Sequence, residues 1–393
     1  MEPIELFIVL LILAAVVAVA AQWLRLQYTL ALLLVGLALS IANFVPTITL
    51  TSDVILLIFL PPLLFEAAFM LDLTLLWQQR RGVLALAFPG TVLAMAVGGA
   101  LVHWLVGLPW SVALLFGAMI AATDPVAVLA TFRELRVSKN LEALVEGESL
   151  FNDGIALVLF ATLISAVEGQ LSLPVVAGEF ILKIAGGVVV GLVVAWVGHY
   201  LIALTDRHLA EMIVSIAVAY GAFLGADKLH LSGVIATLTA AMALRYLGNA
   251  RGWVFSDGSL RLIGDLWEFL AFLANAALFL LIGMTERGAG LLHHPFAVIG
   301  GIAAALVGRA AVAYGLGALL PLLGVNLSGT ERQVLFWGGL RGAVALAAVL
   351  SLPATFPYHD ELLAMTYAVV VFTILAQGLT VGPLVRRLGL SRG

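Results

Sequence analysis

The sequence predicts an all-α protein that crosses a lipid bilayer many times. Its 393 residues are 63% hydrophobic and only 11% charged, and their mean hydropathy is +1.14. Soluble domains carry roughly 25% charged residues, so this composition excludes an ordinary soluble domain. The apolar residues also fall into runs long enough to cross a bilayer as helices, with short connections between them. These observations together predict a polytopic membrane protein.

Thirteen apolar runs of spanning or near-spanning length follow one another along the chain. We expect transmembrane helices at 3–21, 28–43, 52–71, 83–106, 111–131, 141–167, 175–202, 210–224, 231–246, 262–284, 296–321, 331–352 and 360–385. No stretch between the runs is long and polar enough to form a soluble domain. We therefore expect residues 1–393 to form a single transmembrane domain.

Lysine and arginine are distributed unequally between the two sides of the predicted spans. Of the 19 such residues, fourteen lie on one side and only Lys228 and Arg287 on the other, while Lys183, Arg309 and Arg341 lie within spans. Cytoplasmic loops of membrane proteins are enriched in lysine and arginine. We therefore expect the N-terminus outside the cell and the C-terminus in the cytoplasm.

Several classes of chemistry lack support in the sequence. The chain has no cysteine, which excludes disulfides, haem–thiolate ligation and cysteine-based metal or nucleophile chemistry. No GxxxxGK[ST], HExxH or GxSxG motif occurs, so ATP-driven transport, zinc proteolysis and serine hydrolysis are not indicated. We expect neither an enzyme nor a nucleic-acid partner.

The first polar motif is ATDPVAV, which begins at Ala122 in the middle of the fifth apolar run. Thr123 or Asp124 can cap a helix, and Pro125 suits the first helical position. A helix start inside a span predicts two half-helices with an unwound segment between them, which persists only where it lines a cavity or contacts other protein. The alternative is a proline kink with a capping acid, although a serine or threonine would cap without placing a charge in the membrane.

A second group of polar residues, EGESLFNDG, begins at Glu146 within the sixth run. On a helix Ser149 and Asp153 are four residues apart, as are Glu148 and Asn152, so the two pairs share adjoining faces. A charge at the bilayer centre costs at least ~2.5–3.5 kcal/mol on insertion scales, so an acid there indicates function. Asp153 lies near the middle of the run and is the main candidate. We interpret Glu148 as part of a structural ion pair and Glu146 as a solvated charge near the span end.

A buried, ionised Glu148 requires a partner, because an uncompensated buried charge is strongly destabilising. Two arginines deep in apolar runs are candidates, Arg309 in GRAAVAY and Arg341 in GGLRGAVALA. Arg309 has no other obvious use, whereas Arg341 lies among glycines that loosen its span and is a candidate to line a cavity. Glu66 in FLPPLLFEAAFM follows two prolines that distort the third span. A helix-end acid near the interface would explain Glu66 almost as well as a functional site.

The positions of the two irregular spans predict an internal repeat. Thr-Asp-Pro interrupts span five and the glycine-rich segment loosens span twelve, seven spans later. Since seven is odd, the two helices run in opposite directions. We therefore expect two inverted repeats, at about 1–167 and 210–385, joined by the span at 175–202. Interrupted segments at matching positions of inverted halves indicate the substrate site of a secondary transporter.

Four motifs together resemble a known family. PPLLFEAAF, TDPVAV, GESLFNDG and GGLRGAVALA occur in this order, and the chain resembles the monovalent cation:proton antiporter-1 family, the sodium/proton exchangers of NHE and NhaP type. The resemblance implies a homodimer of 13-helix protomers in a bacterial or archaeal plasma (inner) membrane, in which a core domain moves against a dimerisation domain. It also implies crossed, broken helices at spans five and twelve.

The resemblance assigns roles to individual residues. Asp153 matches the ion-binding aspartate and Asn152 its neighbour, whereas Glu148 and Arg309 match the structural ion pair of the family. The other positions that match the surroundings of the cation are Thr123 through its backbone carbonyl, Asp124 through water, Ser149 and Glu66. Arg341 stays a candidate cavity-lining residue.

The expected mechanism is exchange of Na+ or Li+ for H+ without a cofactor. A carboxylate binds either a proton or a hard cation, and hydroxyl and carbonyl oxygens suit such a cation. If Na+ and H+ compete for Asp153 and only the loaded site crosses the apolar barrier, obligatory exchange follows. Relatives with two aspartates at the Asn152–Asp153 pair move net charge, so the asparagine predicts electroneutral 1:1 exchange.

Two other functions stay open at this point. K+/H+ exchange on the same scaffold differs only in cavity geometry and ion hydration. An intramembrane aspartyl protease would use Asp124 and Asp153 sharing a proton. Proteolysis, however, leaves the deep arginines and the inverted repeat unexplained.

Overall fold

In the computed structural model, every regular element of the described residues is a helix. The structure describes residues 3–24, 28–42, 52–168, 173–251, 258–285 and 293–391. Arg287, one of the two cations expected on the outer side, lies outside these residues. The fold class predicted from the hydropathy pattern is confirmed.

The described part of the first half of the chain forms eight helices, two of which are the halves of one predicted span. They are α1 (Pro3–Leu24), α2 (Tyr28–Ile41), α3 (Ser52–Met70), α4 (Leu73–Val106), α5 (Trp110–Ala121), α6 (Val126–Glu134), α7 (Lys139–Glu168) and α8 (Leu173–Ile202).

The second half follows the same pattern. Its longer helices, among the described residues, are α9 (His208–Lys228), α10 (Gly233–Arg251), α11 (Ser259–Thr285), α12 (Pro295–Ala310), α13 (Gly329–Trp337), α14 (Ala343–Leu350), α15 (His359–Phe372) and α16 (Leu379–Arg387). A π-helical turn, Ala311–Leu316, continues α12, and a second, Thr373–Gly378, joins α15 to α16. Such π-helical turns occur often at functional sites.

The helices follow the predicted spans, with two informative differences. α4 begins at Leu73, ten residues before the predicted start, because Asp72 caps it by accepting hydrogen bonds from the amides of Thr74 (2.9 Å) and Leu75 (3.1 Å). Within the described ranges, eight segments are long and apolar enough to cross a bilayer, and four shorter apolar helices accompany them. The twelfth predicted span is two helices of 9 and 8 residues, each too short to span alone. The count of thirteen spans therefore stays a prediction.

The helices pack in two groups. α8, α9 and α10 contact one another; in the same group α3 packs on α10 and α11, and α2 packs on α11. The second group is built on α4, which contacts α5, α7 and α12, and α15 packs on α12 and α5. The groups meet mainly where α7 contacts α8 and where α14 contacts α3 and α11. The two broken spans therefore lie in one group, and the helix that carries Glu66 lies in the other.

Two glycines of α8 explain its closest contact. A Cβ at Gly187 would lie 2.7 Å from the carbonyl oxygen of Ser232, and one at Gly191 would overlap the carbonyl oxygen of Ala236. These glycines therefore let α8 approach α10 of the same chain. The opposite face of α8 is apolar and exposed at positions such as Val189, Leu192 and Trp196, as a face in contact with lipid or a second protomer requires.

Candidate cation-binding site

The two broken spans meet at their breaks. α5 ends at Ala121 and α6 begins at Val126, with Ala122 extended at φ −57° and ψ 136°. α13 ends at Trp337, and α14 begins at Ala343 after the glycine-rich turn. The backbone N–H of Asp124 donates to the carbonyl oxygen of Leu340 at 2.8 Å, so one break satisfies part of the unpaired backbone of the other.

Glycine is required in the second break because side chains of the first break and of α12 fill the space. A Cβ at Gly342 would overlap the carboxylate of Asp124, and one at Gly339 would lie 2.6 Å from Nε of Arg309. Gly342 is extended, with φ −142° and ψ −147°, so its backbone conformation alone does not demand glycine. The close approach of Asp124 does.

Four of the predicted site residues form one hydrogen-bonded cluster between α7 and the first break. The backbone N–H of Thr123 donates to Oδ1 of Asp153 at 3.1 Å and to Oδ1 of Asn152 at 3.2 Å. The Thr123 hydroxyl accepts from Nδ2 of Asn152 at 2.6 Å and lies 3.0 Å from the hydroxyl of Ser149. A carboxylate, two hydroxyls and an amide oxygen therefore converge at the level of the break.

Glu148 and Arg309 form a buried bidentate ion pair behind this cluster. Nη1 of Arg309 lies 2.7 Å from Oε1 of Glu148, and Nη2 lies 2.9 Å from Oε2; the two residues are 1% and 4% exposed. Nε of Arg309 donates to the carbonyl oxygen of Leu335 at 3.1 Å, and Asn152 donates to Oε1 of Glu148 at 3.1 Å. The pair thus joins α7 to α12 and to the end of α13. Of the two candidate arginines, Arg309 is the partner of Glu148.

Arg341 has a different position. It is 2% exposed, and its Nη1 donates to the carbonyl oxygens of Ala121 at 3.1 Å and Ala122 at 2.9 Å. Its backbone N–H donates to the hydroxyl of Thr373 at 3.1 Å. Among the described residues no carboxylate lies within 4 Å of it. A cation at the carbonyl end of a helix is stabilised by the helix dipole, so Arg341 caps α5.

Neither Asp124 nor Glu66 joins the hydrogen bonds of the cluster through its side chain. Oδ1 of Asp124 accepts from the backbone N–H of Val126, the first residue of α6, at 3.0 Å, while Pro125 rather than Asp124 is at the N-cap position. Glu66 is half-buried on α3, in the other helix group, where the charges that influence it are those of Glu268, Glu146, Arg133 and Asp124. The structure therefore gathers Thr123, Ser149, Asn152 and Asp153, with Asp124 beside them and Glu66 apart.

Several groups that contact the site residues were not predicted from the sequence. Four backbone carbonyl oxygens accept hydrogen bonds here: those of Ala121 and Ala122 from Arg341, that of Leu335 from Arg309, and that of Leu340 from the N–H of Asp124. Every residue has such a carbonyl, so the sequence does not indicate which ones are used. Thr373 was also missed, although a hydroxyl within an apolar run was a signal that could have been noted.

A cavity of about 720 Å³ lies between the two helix groups. Leu157 and Ala161 of α7 and Ser351 line it on one side, and Lys183 and Asp227 line it on the other. Leu157 lies one helical turn beyond Asp153. The cavity therefore approaches the cluster from the predicted outer side of the membrane, where few lysines and arginines are expected.

Crossed half-helices with a carboxylate at the crossing define a class of protein, the secondary transporters built on discontinuous helices. The family described as sodium/hydrogen exchanger, transmembrane, matches residues 8–387, and this chain belongs to that family.

Curated relatives cover nearly the whole chain. The Na(+)/H(+) antiporter ApNhaP of Aphanothece halophytica is 37% identical over 396 residues, which cover 99% of this chain and 75% of that protein. The Na(+)/H(+) antiporter NhaH of Halobacillus aidingensis is 34% identical over 403 residues, with 99% and 98% covered. The sodium proton antiporter MjNhaP1 from Methanocaldococcus jannaschii, solved at pH 8, has the same fold, with a TM-score of 0.83 at 21% identity over 99% of both chains.

Proposed function

We propose that this chain exchanges Na+ or Li+ for H+ across a membrane by letting the cation and the proton compete for Asp153. The single observation that carries the proposal is the position of the Asp153 carboxylate, at the crossing of two broken helices and within hydrogen-bond reach of Thr123. Membership in the sodium/hydrogen exchanger family supports the same activity.

The proposed cation ligands are oxygens of the cluster. The Asp153 carboxylate supplies the charge, and Ser149 and the backbone carbonyl of Thr123 supply neutral oxygens. Asp124 contributes through water. Asn152 and Glu66 lie around these ligands. Hard monovalent cations prefer such oxygen donors. The hydrogen bond between the Thr123 and Ser149 hydroxyls, at 3.0 Å, orients the Ser149 oxygen before a cation arrives.

Exchange then follows from charge. An empty ionised site is costly to carry through an apolar barrier, so the moving helices cross only with Na+ or H+ on Asp153. Glu148 and Arg309 neutralise each other in both forms, and Asn152 adds no charge. The proposed stoichiometry is therefore one Na+ for one H+, without a cofactor and without net charge movement.

The proposed motion is of the α4–α7 and α12–α16 group against the group that contains α3 and α8–α11. The cavity of about 720 Å³ between them is proposed as the outer access route. The proposal includes two inverted repeats, at about 1–167 and 210–385. It also includes a homodimer in which α8 faces the partner or lipid. The protein lies in a plasma membrane with its N-terminus outside and its C-terminus in the cytoplasm. The exposed apolar side of α8 supports the dimer.

The test is cation-induced collapse of a pH gradient in proteoliposomes, with wild type beside Asp153→Asn and with Na+, Li+ and K+ in turn. Na+ or Li+ should collapse the gradient only when Asp153 is intact. Collapse by K+ alone would keep the scaffold and change the substrate to K+. Equal activity of the Asn variant would refute the role of Asp153.

A further inference from the structure

One face of α7 carries a row of polar residues from its basic end to the cation site. Glu142, Glu146, Ser149 and Asp153 are spaced by four, three and four residues, which places them on one side of an α-helix. Glu146 is half-buried on this face rather than freely solvated as its place near the span end suggested. The charged side chains of this face therefore lie along the side of α7 that leads from its basic end to Asp153, which is called the approach to Asp153 below.

Glu142 lies at the start of the row and binds two exposed cations. The glutamate is 6% exposed; its carboxylate accepts from Nε of Arg133 at 3.0 Å and from Nζ of Lys139 at 2.7 Å. The side chains of Arg133 and Lys139 are 61% and 69% exposed. Arg133 belongs to the last turn of α6, so this ion-paired cluster also fastens the far end of α6 to α7.

The next carboxylates along the approach have no ion pair. Among the described residues, no basic nitrogen lies within 4 Å of Glu146 or Glu66. Arg133 is nevertheless close enough to act electrostatically on both of them. An arginine side chain has many rotamers, and a new carboxylate partner would attract it if its present partner were lost.

We propose that Glu142 is a positioning residue for ion exchange. It holds Arg133 and Lys139 at the basic end of α7 in ion pairs, and its negative charge offsets theirs at Glu146 and Glu66 and therefore along the path that we assume for the cation to Asp153. This inference rests on the proposed function, because it assumes that a cation reaches Asp153 along this face.

The main test is the Na+ affinity of Glu142→Gln, measured as the Na+-dependent shift of Tm in detergent and as the KM of exchange in proteoliposomes. A released unit charge at this range should raise Kd and KM about three- to tenfold, since it acts through a partly screened protein interior. Vmax should change little. The rise should shrink when ionic strength is increased with choline chloride, because salt screens exposed charges.

Removal of the released cation should reverse the effect. Glu142→Gln combined with Arg133→Gln should return Kd and KM close to the wild-type values. The matched control combines Glu142→Gln with Arg136→Gln, which removes the same charge from an exposed arginine for which no contact with Glu142 is found, and it should not restore affinity.

Three outcomes overturn the proposal: wild-type affinity in Glu142→Gln, equal impairment with and without Arg133, or equal rescue by the two double variants. If Glu142→Gln does not fold, Arg133→Gln in the wild-type chain decides, since it should leave Kd unchanged or lower it. The Tm shift reports Na+ binding without exchange. A wild type that binds Na+ but moves no protons would therefore contradict the proposed function, while the affinities of the variants would still decide the role of Glu142.

Discussion

Arg309 and Glu148 are 161 residues apart in the sequence, and their side chains meet at 2.7 Å inside the transmembrane part of the chain. Three helices depend on this contact, because Arg309 also binds the end of α13 and Glu148 accepts from Asn152 beside the cation site. The pair therefore holds α7, α12 and α13 together next to Asp153, and its own net charge is zero.

Removal of one partner of this pair should be strongly destabilising. Arg309→Ala leaves Glu148 as an uncompensated buried charge, which costs about 3–5 kcal/mol. The double variant Arg309→Met with Glu148→Leu should regain most of that loss, because well-packed apolar residues often replace a buried pair at little cost. Thermal unfolding in detergent measures both variants.

The matched control is the exposed pair of Arg386 and Glu134, whose charged atoms lie 3.7 Å apart with side chains 61% and 74% exposed. Exposed pairs contribute about 0–1 kcal/mol, so Arg386→Ala should shift Tm little. Similar losses for Arg309→Ala and Arg386→Ala would contradict the structural role of the buried pair.

Gly342 should tolerate no side chain. In Gly342→Ala the new Cβ meets the Asp124 carboxylate, and overpacking of this kind costs about 1–3 kcal/mol. Because the crossing would be forced apart, Na+-driven proton exchange should also fall. Gly315→Ala is the control, since a Cβ there meets no heavy atom within 4 Å. Normal exchange by Gly342→Ala would show that the close approach of Asp124 is unnecessary.

Asn152 should not be replaceable by aspartate without a penalty that depends on pH. Its Nδ2 donates to Glu148 at 3.1 Å, and Asn152→Asp removes that donor and places a second carboxylate beside the first. Two carboxylates in such contact do not both ionise readily, so the new group should take up a proton. We expect the free energy of unfolding to fall by about 1–3 kcal/mol because a buried hydrogen bond is broken. The fall should be larger at pH 8 than at pH 6, because at the lower pH a protonated carboxyl can again donate to Glu148.

Thermal unfolding at the two pH values measures this effect, and Asn140→Asp, at an exposed position of the same helix, is the control. A loss for Asn152→Asp that does not vary with pH would show that the amide does not serve as the donor to Glu148. In proteoliposomes the same variant should make exchange sensitive to membrane potential, because an additional proton then takes part.

The fold class and the breaks in the two spans could be predicted from the sequence, and the reason is physical. Thr-Asp-Pro and a run of glycines disturb helix geometry locally, and the breaks lie at these residues. Charge alone does not separate Arg309 from Arg341 as the partner of Glu148, and in the sequence only the family resemblance selected Arg309. Only the three-dimensional arrangement shows Arg309 at the carboxylate and Arg341 at the carbonyl end of α5.

The contribution of the backbone could not be read from the sequence. The bond from Asp124 N–H to Leu340 and the capping of α5 by Arg341 use carbonyl groups that every residue possesses. The half-burial of Glu146 was also missed, because its depth depends on how α3 packs near α7. Helix periodicity placed Ser149 with Asp153 and Glu148 with Asn152, but it did not predict which residues lie around Glu146.

The most direct test of the central claim is the dependence of the KM for Na+ on pH. If one proton and one Na+ compete for Asp153, mass action requires the apparent KM to rise by up to about tenfold for each unit by which pH falls through the protonation range of the site. Vmax should stay nearly constant at saturating Na+, and Asp153→Asn should abolish exchange. A KM for Na+ that does not change with pH across the active range would contradict competition at a single carboxylate.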